Sequence, residues 1–214
     1  MSAGHLKQIL ITGPPGVGKT TLVRKICEKL ASVKKVELIG FYTMEMRDAS
    51  GSRTGFEIVS IPDEQKRAIL SATPSAISTL RSGLETSRLP SVGKYCVLVE
   101  EFESVALECF NSSHAKTTAG SDGVKKASIL VLDELGKMES YSKKFYEALR
   151  QWVQEGKRDQ HFLLATIPLS KGRPLPLVEL VTKAPNSITV AINQRNRDEK
   201  IQEIVDLVLG SIKQ

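Results

Sequence analysis

Gly13-Pro14-Pro15-Gly16-Val17-Gly18-Lys19-Thr20 matches G-x-x-x-x-G-K-[ST] at every fixed position. It follows the short apolar run LKQILIT (6–12), which reads as a buried strand, and it precedes a helix predicted from Lys19 to Ala31. In that helix Leu22, Val23, Ile26, Cys27 and Leu30 recur at three- and four-residue steps, so they share one face. Strand, glycine turn and helix in this order are the setting in which the motif cradles phosphate. The glycines let backbone N–H groups turn inward around phosphate oxygens, and the helix directs its positive N-terminal end at the same anion. Lys19 supplies a point charge to the β- and γ-phosphates. Thr20 offers a hydroxyl to Mg²⁺, a hard ion that takes few protein oxygens.

Outward from this unit, VELIGFYTM (36–44) and GFEIVSI (55–61) flank the turn residues RDASGSRT and read as a β-hairpin. Residues 63–93 are irregular in pattern. KYCVLVE (94–100) reads as a strand, ESVALECF (103–110) as a short helix, and the small polar residues of 111–126 as a flexible surface loop. SILVLD (128–133), FLLATI (162–167) and SITVAI (187–192) read as buried strands. Between and after them, one predicted helix shares the face Phe145, Ala148, Leu149, Trp152 and Val153, and a last helix runs from about Asp198. Alternating strands and helices predict a single α/β domain over 1–214: a mainly parallel sheet, helices on both faces, an added β-hairpin, and ligands at the carboxyl ends of the strands.

A phosphate loop of this kind needs an acidic partner for its metal. Asp133, at the end of ILVLD, is the best placed, which makes Thr20 and Asp133 the predicted Mg²⁺ ligands. Glu134 follows at once and is read as the group that orients attacking water. Lys137 reads equally well as a phosphate contact or as a surface lysine. Arg47 and Arg53, beside the hairpin turn, have the side chain to supply transition-state charge in cis, although arginines in turns are more often plain surface residues.

The 214 residues suffice for a full core, and 41% hydrophobic with 25% charged residues is ordinary for a globular protein. No apolar run approaches the length of a membrane helix, and the N-terminus lacks the pattern of a secretory signal, so a cytoplasmic protein is expected. Cys27, Cys96 and Cys109 stand far apart with no CxxC pair and read as buried small side chains rather than disulfide or zinc partners. The net charge of +6 reads as a solvated surface around an anionic-ligand site. Nucleic acid is not expected as a partner: aromatics make up 5% of the chain and no compact basic stripe stands out.

GPPGVGKTTL (13–22), GFYTMEMR (40–47), VGKY (92–95), VLDELGKME (131–139), TIP (166–168) and NR (196–197) occur together and in order. In this the chain closely resembles the small P-loop nucleoside-triphosphatase family of the thermophilic-ATPase and cancer-related type. The resemblance implies a compact P-loop α/β domain that hydrolyses ATP, GTP, CTP and UTP with Mg²⁺ and little base selectivity; a monomer is expected. It also implies nucleotide contacts at Gly13 to Thr20 and at Asp133, Glu134, Leu135, Gly136 and Lys137, beside the catalytic roles that the residues themselves give Lys19 and Glu134. Two departures stand out: the 111–126 connection is long, and Leu98 occupies a position often acidic in relatives.

The rival reading is a nucleoside or nucleotide kinase, which would share the loop and add an acceptor site and a lid. IPLSKGRPLP (167–176), with Lys171 and Arg173, would be that lid, but its prolines suit a fixed extended loop as well. A guanine switch would carry N-K-x-D, and none is found.

Overall fold

The computed structural model describes residues 6–114, 126–155, 161–169, 172 and 174–212. The chain begins β1 (Gln8–Gly13), α1 (Lys19–Ala31), β2 (Val36–Arg47), β3 (Arg53–Ile61), β4 (Arg67–Ala72) and α2 (Pro74–Leu80). It continues β5 (Ser91–Val92), β6 (Tyr95–Val97), α3 (Val99–Ala106), α4 (Glu108–His114), β7 (Ala127–Leu132) and α5 (Lys143–Glu155). It ends β8 (His161–Pro168), α6 (Pro176–Thr182), β9 (Ser187–Ala191) and α7 (Arg197–Ile212). These strands form one sheet in the order β5-β6-β4-β3-β2-β7-β8-β1-β9.

The predicted parallel arrangement holds from β2 to β9, where β2, β7, β8, β1 and β9 pair in parallel. It fails for the other half. The β2–β3 hairpin is not a lone addition, because β4, β6 and β5 extend the sheet beyond it by antiparallel pairing. Short polar turns such as Asp63 to Lys66 suffice to join β3 to β4, and β5 and β6 are only two and three residues long, so neither announces itself by a long apolar run. The sheet is mixed rather than mainly parallel.

Strand alternation sorts the core onto two faces. Leu10, Leu130, Leu132, Leu163 and Ala165 pack against α3, α4, α5 and α6. Ile9, Ile11, Ile129, Val131, Phe162 and Leu164 pack against α1 and α7. On the first face Phe145 meets Phe41, Phe102 and Phe110 with ring centroids 5.9, 5.1 and 5.6 Å away. At Gly40 (φ +129°) a Cβ would stand 1.9 Å from the Val131 carbonyl oxygen, so only glycine lets β2 run this close to β7.

Other readings shift for local reasons. The strand predicted at 94–100 stops at Val97, because Leu98, Phe102 and Ala106 lie four apart and bury the face of α3 instead. ESVALECF spans parts of two helices that meet at Leu107. The loop predicted at 111–126 starts too early: Asn111 to His114 are the last residues of α4, which Cys109 and Phe110 anchor in the core. Residues 115–125 lie outside the described residues. SITVAI forms β9, but as an edge strand paired only to β1, with Ile188, Thr189 and Ala191 exposed rather than buried. α2 and α6 are further helices; in α6 Pro176 in the first turn and Leu177 and Val181 on one face are the signals. Lys171 and Arg173 of the supposed lid lie outside the described residues. The three cysteines are buried and free, as read from their spacing. Among the described residues no helix is long and apolar enough to cross a membrane.

Phe145→Ala should cost about 3–5 kcal/mol of stability, since the cavity would open among three other rings. Urea unfolding measures it.

Candidate active site

β1 delivers the glycine loop and α1 carries it away. Gly18 caps α1 with φ 96°, in the left-handed region where a side chain is strained. Val17 is buried and pins the loop to the core, and its N–H donates to the Pro14 carbonyl at 3.2 Å. A second anchor comes from the far end of the chain, where Arg197 at the start of α7 donates from Nη1 to the Val17 carbonyl at 2.8 Å. Lys19 Nζ rests 3.3 Å from the Gly13 carbonyl. The first turn of α1 carries no acidic residue, so nothing there cancels the attraction of its N-terminus for an anion.

β7 delivers the acids. Asp133 is only 1% exposed, and its Oδ1 accepts from the Thr166 hydroxyl at 2.6 Å, while Oδ2 has no hydrogen-bond partner. Burial pushes its carboxyl up from the ordinary value, and the hydroxyls of Thr166 and Thr20 together with Lys19 pull it back. Thr43 grips the next peptide: its hydroxyl donates to the Asp133 carbonyl and accepts from the Glu134 N–H at 3.1 Å. Glu134 is half-buried. Its carboxyl is raised by burial and by Asp133, with Lys19 opposing.

A cleft of about 530 Å³ joins the two stretches. Gly13, Pro15, Gly16, Gly18, Lys19 and Thr20 line one side together with Glu134. Thr43, Glu45, Arg53 and Phe56 of the hairpin face them. The remaining sequence-predicted residues do not line it: Asp133 is buried next to the lining residue Glu134, Pro14 and Lys137 are exposed outside the lining, Val17 and Leu135 are core residues, and Gly136 is buried. Arg53 is brought to the cleft and Arg47 is not. Arg47 bonds the Gly51 carbonyl and Glu45 at the hairpin tip. Leu98 is buried at the start of α3, away from the cleft.

A buried, unpartnered carboxylate oxygen close to a threonine hydroxyl suits a hard oxygen-binding cation, so Asp133 and Thr20 are the residues able to hold one. Among the described residues there is no group of three His, Cys, Asp or Glu able to hold a metal by itself.

Sequence reading assigned no role to Thr43, Thr166, Glu45, Tyr95, Glu139 or Arg197. Tyr95 OH accepts from Arg53 Nε at 3.1 Å, and Glu45 accepts from Nη1 at 2.6 Å, so two residues far apart in sequence hold one guanidinium. Position in G-F-Y-T and T-I-P marked the two threonines only as members of a pattern. Glu139, the last residue of VLDELGKME, is marked in the same way and no further. It is 3% exposed and accepts from the Gly136 N–H at 2.8 Å. Burial pushes its carboxyl from 4.5 up to about 8, helped by Glu134 and Asp133. A group that holds its proton more tightly when folded loses its stabilising effect as pH climbs from the unfolded value towards the folded one. Stability should therefore fall between about pH 4.5 and 8. Glu139→Gln cannot ionise, and urea unfolding at pH 5 and pH 8 should show a smaller decline for it than for the wild type.

A family model described as NTPase matches residues 8–205. The chain is 36% identical over 210 residues to the cancer-related nucleoside-triphosphatase of Homo sapiens, covering 97% of this chain and 99% of that protein. It is also 36% identical over 202 residues to the nucleoside-triphosphatase THEP1 of Aquifex aeolicus (strain VF5), covering 94% and 98%. The solution structure of the human cancer-related nucleoside triphosphatase superposes with a TM-score of 0.75 at 36% identity, over 96% of this chain and 98% of that one. The crystal structure of THEP1 from Aquifex aeolicus superposes with a TM-score of 0.67 at 34% identity, over 94% and 98%. The matched span takes in the glycine loop, the Asp133 strand and the Arg197 anchor alike, and the chain belongs to the NTPase family.

Proposed function

We propose that the protein is a P-loop nucleoside-triphosphatase that hydrolyses ATP, GTP, CTP and UTP to the diphosphate and phosphate, with Mg²⁺ and low base selectivity. The observation that carries this reading is the convergence of Lys19, Thr20 and Glu134 on one cleft beside the buried Asp133 carboxylate. The reported relatives are named as nucleoside-triphosphatases, which supports water rather than a nucleoside as acceptor. The same reading keeps the protein a monomer in the cytoplasm, acting on nucleoside triphosphates rather than nucleic acid.

Phosphoryl transfer leaves little covalent chemistry to the protein, so positioning and charge supply most of the rate. Backbone N–H groups of Gly16, Gly18, Lys19 and Thr20 and the Lys19 ammonium bind the phosphates, with Gly13, Pro14, Pro15 and Val17 completing the loop that presents them. Asp133 Oδ2 and the Thr20 hydroxyl would hold Mg²⁺, which when bound offsets phosphate charge. Glu134 orients water at the cleft. Arg53 is the arginine suited to charge that develops on the transferred group, because Tyr95 and Glu45 hold Nε and Nη1 and leave Nη2 without a hydrogen bond among the described residues.

Phosphate release from the four triphosphates, with Mg²⁺ or with EDTA, tests the class. Metal-dependent release from all four without an acceptor is expected; release that waits for an added nucleoside or monophosphate, with that acceptor phosphorylated, would make the protein a kinase. Lys19→Ala should lose nucleotide affinity and turnover together. Glu134→Gln should keep affinity and lower turnover, and unchanged turnover would end its assigned role. Arg53→Ala should lower kcat by on the order of 10²-fold with KM little changed, while Arg47→Ala should leave both near wild type.

A further inference from the structure

Residues 134–138 belong to no helix or strand, so the backbone that carries Glu134 must be held by its neighbours. The Glu134 N–H donates to the Thr43 hydroxyl at 3.1 Å, and the Leu135 N–H donates to the Thr166 carbonyl at 2.9 Å. Both partners belong to strands, β2 and β8. The third hold is of another kind. The Gly136 N–H donates to Glu139 Oε2 at 2.8 Å, and the Gly136 carbonyl accepts from the Ser140 hydroxyl at 2.7 Å. Glu139 is itself fixed, because it opens the short turn Glu139–Tyr141 and its carbonyl accepts from the Ser142 N–H at 3.1 Å. Ser142 in turn accepts from the Phe145 N–H of α5 and donates to Glu103 of α3. A Cβ on Gly136 would stand 3.0 Å from Glu139 Oε2 and 3.6 Å from Glu134 Oε1, so the two carboxyls border the one space that the glycine leaves empty. Glutamates are seldom buried without a cation, and among the described residues none pairs with Glu139, a cost that packing alone does not explain.

We propose that Glu139 is a positioning residue for hydrolysis: by holding the Gly136 N–H it fixes the turn from which Glu134 meets the attacking water. This rests on the role given to Glu134 above. Glu139 does not line the cleft, so its effect passes through Glu134. Burial raises its carboxyl to about 8, so near neutral pH it holds the turn without adding a negative charge beside Glu134 and Asp133.

The test is a double-mutant cycle read on kcat and KM for ATP hydrolysis with Mg²⁺, in variants shown by circular dichroism to be folded. Glu139→Leu, which removes the acceptor, should lower kcat on the order of tenfold with KM little changed. Glu139→Gln keeps an oxygen for the Gly136 N–H and should recover kcat to within about threefold of the wild type. In a Glu134→Gln background no carboxylate remains to be positioned, and there Glu139→Leu should lower kcat less than about twofold. Gly136→Ala, whose Cβ would intrude between the two carboxyls, should repeat this pattern in both backgrounds, and it decides the matter alone if Glu139→Leu does not fold. An unchanged kcat, an equal loss in both backgrounds, a loss carried by KM, or no recovery in Glu139→Gln would overturn the proposal and leave Glu139 a brace of the fold. If Glu134→Gln alone leaves turnover unchanged, the role of Glu134 itself fails, and the positioning role falls with it.

Discussion

The Thr166 hydroxyl donates to Asp133 Oδ1 between the ends of β7 and β8, and the Thr43 hydroxyl closes on the following peptide from β2. Three strand tips are thereby fixed around one carboxylate that water scarcely reaches. Burial works against the charge there, and the threonine hydroxyls and Lys19 work for it. Sheet geometry and site electrostatics are consequently one problem. Any shift of β2 against β7 that displaced Thr43 would also move the backbone from which both acids project. Gly40 sets that spacing from the other side of the same two strands.

The antiparallel half of the sheet has a matching role. It contributes Thr43, Glu45, Arg53 and Phe56 to the wall opposite the glycine loop, and Tyr95 of β6 holds the Arg53 guanidinium in place. Glu45 is kept low by that guanidinium and by Arg47, so it remains an acceptor that fixes Arg53 over the working pH range. The parallel half carries the glycine loop; the antiparallel half shapes what faces it.

What the sequence discloses follows from how local each constraint is. The glycine loop and α1 are legible to the residue, since a contiguous motif and a 3.6-residue period define them. The Asp133 strand is legible because a continuous apolar run ends at an acid. The extension through β4, β6 and β5 is not, because these strands are short and their pairing partners lie in other segments. Arg53 and Arg47 look alike in sequence, and only the meeting of Tyr95, Glu45 and the cleft separates them. Glu139 reads as one more acidic residue until packing removes it from water. The edge position of β9 is equally silent, since a Val/Ile/Thr-rich run looks the same with one neighbour as with two.

The hydrogen bond from Arg197 to Val17 spans 180 residues. β1, which ends in the glycine loop, likewise finds its only partners in β8 and β9. During synthesis the first strand therefore emerges long before anything it can pair with. The glycine loop gains its Arg197 anchor only once α7 has been made. A nascent or shortened polypeptide would carry the whole phosphate motif in its sequence and still lack the backing that gives the motif its shape.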